Sequence, residues 1–166
     1  VSRARAEAFC AWLSAKAGFR CRLPSACEWE WAARAGSASP TGWGDAGGDF
    51  SKCANLADQS FHAVMTMGWG LPSGAIPSYR PASQVKDGFR VAAPVGTFQP
   101  NAWGLYDAEG NVWEWTAETT ADGCAVARGG SWSCRPEKAL FDSRATYPAW
   151  QPVYDVGFRV VMDDTP

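Results

Sequence analysis

Two acids flank a turn in the stretch Asn101 to Thr116 in a way that could do chemistry: Asp107 before Gly110-Asn111, and Glu114 between Trp113 and Trp115. A glycine-containing turn that runs into a strand can point backbone carbonyls and a carboxylate at one place, and hard oxygen donors of that kind suit Ca²⁺. The spacing is not that of an EF-hand loop, and two solvated acids on a turn would read the same way from spacing alone. A second reactive type is the thiol. Cys10, Cys21, Cys27, Cys53, Cys124 and Cys134 are scattered with no CxxC pair, which argues against a zinc ribbon and a thioredoxin-like motif. Cys134 precedes Arg135, a neighbour that would lower its pKa and favour reactivity; a buried inert thiol is the competing reading. His62 is the only histidine, so a site needing two imidazoles from this chain is excluded, and it reads as a loop residue.

The elements that must position these groups are few. Ala6, Phe9, Cys10, Leu13 and Ala17 recur at helical steps, with Ser2 as a cap and Gly18 as a stop, which predicts a helix over 2–17. Ser25 and Glu28 form a capping box that opens a second helix, with Trp29, Ala32 and Ala33 as its apolar stripe and Gly36 at its end. Periodicity then vanishes from Ser37 to about Gln99, a Gly/Ser/Pro/Asp-rich run studded with Trp43, Phe50, Phe61, Trp69 and Tyr79. A short strand is expected over 91–98. The alternation of Trp113 and Trp115 with Val112, Glu114 and Thr116 predicts a strand with one buried face. Val126 to Trp132 reads as a strand broken by Gly129-Gly130, residues 133–154 as mostly loop with a turn near 137–140, and Gly157 to Val161 as a closing strand. Trp132 reads as core.

Length and composition set the outer limits. The 166 residues suffice for one domain with a sizeable core, and no repeat or linker divides them. With 46% hydrophobic and 19% charged residues and a net charge of -2, there is no basic surplus to argue for nucleic acid or an anionic membrane. No apolar run is long enough to span a bilayer as a helix, and the first residues lack a signal-peptide layout. Ten Trp, 17 Gly and 11 Pro indicate long irregular connections pinned by aromatic anchors. The even cysteine count permits disulfides but fixes no pairing; it leaves the compartment open, with an extracytoplasmic setting favoured over a reducing one.

Four motifs occur in order: Arg22-Leu-Pro-Ser-Ala-Cys-Glu-Trp-Glu-Trp-Ala-Ala-Arg-Ala-Gly36, Asn101-x-x-Gly-Leu-Tyr-Asp-x-x-Gly-Asn-Val-Trp-Glu-Trp-Thr116, Arg128-Gly-Gly-Ser-Trp132 and Gly157-Phe-Arg-Val160. Together they resemble the formylglycine-generating enzyme / sulfatase-modifying factor family over nearly the whole chain. The resemblance implies an α+β, compact C-type-lectin-like fold with two helices, short antiparallel strands, long irregular loops and structural calcium, in one domain over 1–166. One implied calcium set is Asn55, the carbonyl of Leu56, Asp87 and the carbonyl of Phe89. The other is Asp107, the carbonyls of Gly110 and Val112, and Glu114.

The catalytic part of the resemblance transfers poorly. The family's enzymes hold copper(I) between two cysteines five residues apart after the Gly-Gly-Ser motif, where soft thiolates suit the ion. Here Cys134 stands at the first position and Ala139 at the second. Copper is therefore not expected, and a non-catalytic binding or assembly module is. Its surface would be the 133–155 region with Arg135, Arg144, Tyr147, Trp150 and Tyr154, residue types that dominate recognition surfaces. Variable proteins on the same scaffold diversify this region. Trp150 and Tyr154 could equally pack the core. The alternative is a copper-dependent formylglycine-generating oxidase, or a related O₂-using enzyme, with Cys134 as the catalytic residue. The family's usual strands before the first helix are missing from the sequence, so either the sequence is a fragment or another protein chain is expected to complete or cover the sheet.

Overall fold

The structure, a computed structural model, describes residues 1–61 and 85–163; His62, Trp69 and Tyr79 lie outside the described residues. Helix α1 (Arg3–Ala17) is capped by the Ser2 hydroxyl, which accepts from the Arg5 N–H, and ends on Gly18 in the left-handed region. Helix α2 (Ala26–Arg34) opens on the full capping box: Glu28 N–H donates to the Ser25 hydroxyl, and Ser25 N–H donates to the Glu28 carboxylate. Helix α1 thus begins and ends where its caps say, whereas α2 ends one residue before expectation, on Ala35 in the left-handed region instead of Gly36. On α1, Ala6 and Cys10 are buried, but Phe9 and Ala17 are exposed, so the inward stripe is narrower than the periodicity suggests.

Strand β1 (Cys21–Arg22) pairs antiparallel with β6 (Val161–Met162). A four-stranded sheet has the order β4-β3-β2-β5, built from β2 (Trp113–Thr119), β3 (Ala125–Arg128), β4 (Arg144–Tyr147) and β5 (Val156–Gly157). The expected α+β class with two helices, short strands and long loops is what the described residues form. One pairing departs from the expected antiparallel pattern, since β5 runs parallel to β2.

Several elements differ from expectation for identifiable reasons. Residues 91–98 form no strand: the Ala93 N–H goes to the Asn111 side chain, the Gly96 N–H to Asp107, and Pro94 has none to give. Strand β3 stops at Arg128 instead of reaching Trp132, because Gly129 and Gly130 have φ of 95° and 81°. The closing strand splits into β5 and β6, since Arg159 between them turns inward to Glu114. Residues 144–147, expected as loop, form β4, with Ala145 and Tyr147 turned inward and Arg144 and Thr146 outward. On β2 both faces are buried through Thr116. Trp113 and Trp115 join the core under α1, whereas Glu114 and Thr116 face α2 and the β3 carbonyls. Trp132 is half-buried, held between Phe61 and Tyr154 with ring centroids 5.5 and 5.9 Å away.

Glu114 ties the second helix and the C-terminal segment to the sheet. Its carboxylate accepts from Trp29 Nε1 at 2.6 Å and from Arg159 Nε and Nη2 at 2.5 and 2.6 Å. Removing one partner from such a buried pair strands the other charge. Arg159→Ala should therefore cost about 3–5 kcal/mol in urea unfolding, and Glu114→Gln in the same background should add much less than it costs alone.

Candidate functional site

The turn that carries Asp107 is left-handed at three points: Asp107, Gly110 and Asn111 have φ of 53°, 72° and 60°. Aspartate and asparagine tolerate this region, and glycine is required at 110, where a Cβ would lie 2.4 Å from the Asn55 carbonyl oxygen. Asn111 then binds outward to two separate loops. Its N–H donates to the Asn55 carbonyl at 2.8 Å, its Oδ1 accepts from Ala93 N–H at 2.8 Å, and its Nδ2 donates to the Ala93 carbonyl at 3.2 Å. The turn thereby fastens the two halves of the long irregular region to β2.

The first calcium set is brought together. Asp87 accepts from the N–H groups of Leu56 and Phe89 at 2.9 and 2.8 Å, and Asn55 lies alongside, donating to the Val91 carbonyl at 2.9 Å. Asn55 is almost wholly buried, yet its Oδ1 meets no donor, an orphan acceptor that a cation would satisfy. Burial pushes the Asp87 carboxyl up to about 6, with the Asp58 charge adding to it. Asp58, fully buried and accepting the Asp87 N–H at 2.8 Å, escaped the sequence reading. Its signal was the Asp-x-Ser turn, since it also accepts from Ser60 N–H at 2.6 Å.

The second set is divided. Glu114 is neutralised by Arg159, whose Nη2 also donates to the Asp107 carbonyl at 3.3 Å. The Asp107 carboxylate instead accepts from Gly96 N–H at 2.6 Å, and its Oδ1 is buried without a donor. Gly110 sits against Asn55, and Val112 packs on Gly157. The Arg159 guanidinium already brings Glu114 the positive charge that calcium would bring.

Cys134 lines a cavity of about 660 Å³ together with Trp113, Arg144, Tyr147, Tyr154 and Asp155. Asp155 forms its polar floor, accepting from the Ser131 and Ser133 hydroxyls at 2.8 and 2.9 Å; the Ser131 oxygen is 3.5 Å from the Cys134 sulfur. Burial pushes the Cys134 thiol up, with Asp155 adding to the effect, which reverses the lowered pKa expected from Arg135. Arg135 and Trp150 stand outside the cavity wall. Trp150 and Tyr154 are 74% and 80% exposed, so neither packs the core. Position 139 does not face the thiol: Ala139 is fully buried among Phe50, Ala54 and Leu56, and Gly130 packs so closely on it that a Cβ there would lie 2.7 Å from its own.

A second cavity of about 420 Å³ shares no lining residue with the first and contains Asp107 and Glu109. Burial pushes the Glu109 carboxyl up to about 8 despite a hydrogen bond from Gly42 N–H at 2.6 Å. Sequence reading passed over Glu109 as an ordinary turn acid.

The family model described as "Sulfatase-modifying factor enzyme 1-like domain" matches residues 1–164, and the chain belongs to this family. It is 36% identical over 137 residues to the mouse protein named "Inactive C-alpha-formylglycine-generating enzyme 2", covering 80% of this chain and 36% of that one. It is 27% identical over 186 residues to mouse formylglycine-generating enzyme, covering all of this chain and 44% of that one. The chain thus spans less than half the length of these relatives. PvdO from Pseudomonas aeruginosa superposes with a TM-score of 0.75 at 30% identity, over 98% of this chain and 60% of that one.

Both raised carboxyls make stability depend on pH. A folded pKa above the unfolded one means that the folded state holds its proton longer, so stability falls as pH rises from about 4 towards 8. Between pH 6 and 8 the loss is due to Glu109. In calcium-free buffer it should amount to about 2 kcal/mol by urea unfolding, and Glu109→Gln should flatten that part of the profile.

Proposed function

We propose that this domain is a non-catalytic binding module of its family, receiving a protein segment or other ligand at the cavity and surface formed by residues 133–155. The observation that carries this reading is the lone thiol of Cys134. Cys134 is the one cysteine lining its cavity, its thiol is held protonated by burial, and the place of a second sulfur is taken by a methyl group packed into the core. A single protonated thiol is a poor donor for copper(I), which favours paired thiolates. The remaining wall suits recognition: Arg144 reaches outward from an edge strand, Tyr147 presents a half-buried ring and Tyr154 an exposed one, and Asp155 offers a fixed acceptor below them. The likeness to a relative named as inactive supports the same side.

Assembly with another chain is part of this reading. Phe9 and Trp12 on α1 are exposed and packed on one another, with Phe158 against Phe9, which gives a protein partner an aromatic face to cover.

The decisive experiment is oxygen uptake. The protein, supplied with copper(I), a thiol reductant and a cysteine-containing sulfatase peptide, should consume no oxygen above a Cys134→Ser control; turnover that depends on Cys134 would establish the oxidase instead.

Calcium would serve as a structural ion in this module, held by Asn55, Leu56, Asp87 and Phe89. It would offset the Asp87 charge and fill the orphan valence of Asn55. Saturating calcium at roughly a hundredfold excess over its Kd should stabilise the domain by about 2.7 kcal/mol. In thermal melts Asp87→Asn should abolish that gain.

A further inference from the structure

Asp155, on the floor of the Cys134 cavity, is only 4% exposed. The Ser131 and Ser133 hydroxyls both donate to its Oδ2, at 2.8 and 2.9 Å, which fixes the carboxylate and occupies that oxygen. Among the described residues no donor meets Oδ1, and no lysine or arginine pairs with the group. Unlike the orphan oxygens of Asn55, Asp107 and Glu109, Oδ1 is not sealed from solvent, and Asp155 presents it to the cavity it lines. A carboxylate buried to this degree is costly unless a cation or further donors reach it.

The surroundings point the same way. Burial pushes the Tyr147 and Tyr154 hydroxyls up, and the Asp155 charge is the next cause for both, so that charge is felt across the cavity. The cavity's own cations, Lys138 and Arg144, belong to its exposed rim, where water and salt screen them. Their N–H groups suit carbonyl oxygens of a guest, such as those that flank a side chain in a peptide.

Other guests match less well. A carboxylate or phosphate would meet Asp155 as a like charge. An apolar guest would displace water from Oδ1 and put no donor in its place. Building on the recognition reading, we propose that the guest of this cavity presents an N–H-bearing cation, an ammonium or guanidinium group, to Oδ1 of Asp155. Such a group supplies both the donor and the charge that this oxygen lacks.

The test follows the backbone amide shifts of Ser133, Cys134 and Tyr154. The probes are the Nα-acetyl methylamides of arginine, lysine and citrulline, with n-butylguanidinium and n-butylammonium. Citrulline keeps the shape and N–H groups of arginine without its charge. At least one cationic methylamide should give saturable shifts, with the citrulline derivative binding weaker by about tenfold or more. Asp155→Asn keeps an acceptor for both serines; it should weaken the cation by about tenfold and leave the citrulline derivative unchanged. A butyl cation binding as tightly as its amino-acid counterpart would assign the guest to a free small cation, and weaker binding would assign it to a protein side chain. The proposal is overturned if neither cationic methylamide saturates, if citrulline binds equally well, or if affinity is unchanged in an Asp155→Asn protein with native far-UV circular dichroism. Equal binding of citrulline removes the cation but leaves the cavity a recognition site, whereas oxygen uptake that depends on Cys134 removes the reading beneath it. Should Asp155→Asn fail to fold, the comparison of charged and neutral probes on the unsubstituted protein decides alone.

Discussion

Asn111 is the constraint on which the rest of the structure depends. A single side chain held in left-handed backbone binds the loop at 55 and the loop at 93, and its own N–H closes on the Asn55 carbonyl. Long segments without regular structure leave many backbone groups that must find partners. This chain concentrates those partners at one turn, immediately before the strand that holds the core. The loops at 55 and 93 are held against the start of β2 by that placement.

A division of labour results. The side of β2 that carries Trp113 and Trp115 faces α1 and forms the apolar core. The other side carries Glu114, whose charge is met by Arg159 and whose geometry is fixed by Trp29. Buried polar groups of this kind contribute little net stability when satisfied and cost much when broken. Their role is to fix one arrangement of helix, sheet and C-terminal segment around the cavity at Cys134.

The sequence made the regular parts legible. Ser25 and Glu28 declared the cap of α2, Ser2 and Gly18 bounded α1, and the Trp-Glu-Trp alternation located β2. It was silent where partners are distant in the chain. Nothing local announces that residue 159 will neutralise residue 114, or that Ala93 will spend its N–H on Asn111 and so leave no strand at 91–98. Strand β4 was hidden because its prolines lie at its flanks and its alternation spans only four residues. Among site residues, Asn55, Leu56, Asp87 and Phe89 stood out as two polar pairs in the irregular run and were joined into one set by the resemblance; the Leu56 and Phe89 N–H groups both donate to Asp87. Glu109 could not be singled out, because what distinguishes it is burial, and burial is a property of the folded chain.

One feature of the topology reaches into how the protein is made. The pairing of β1 with β6 joins Cys21 to Met162 and Arg22 to Val161. Strand β1 therefore has no strand partner until β6 has left the ribosome. Contacts of such long sequence separation slow folding, because loop closure must precede the reward. During that interval the aromatic residues that later line the core are open to solvent and to other chains. Synthesis of this domain accordingly favours conditions that shield a nascent, tryptophan-rich polypeptide until β6 arrives.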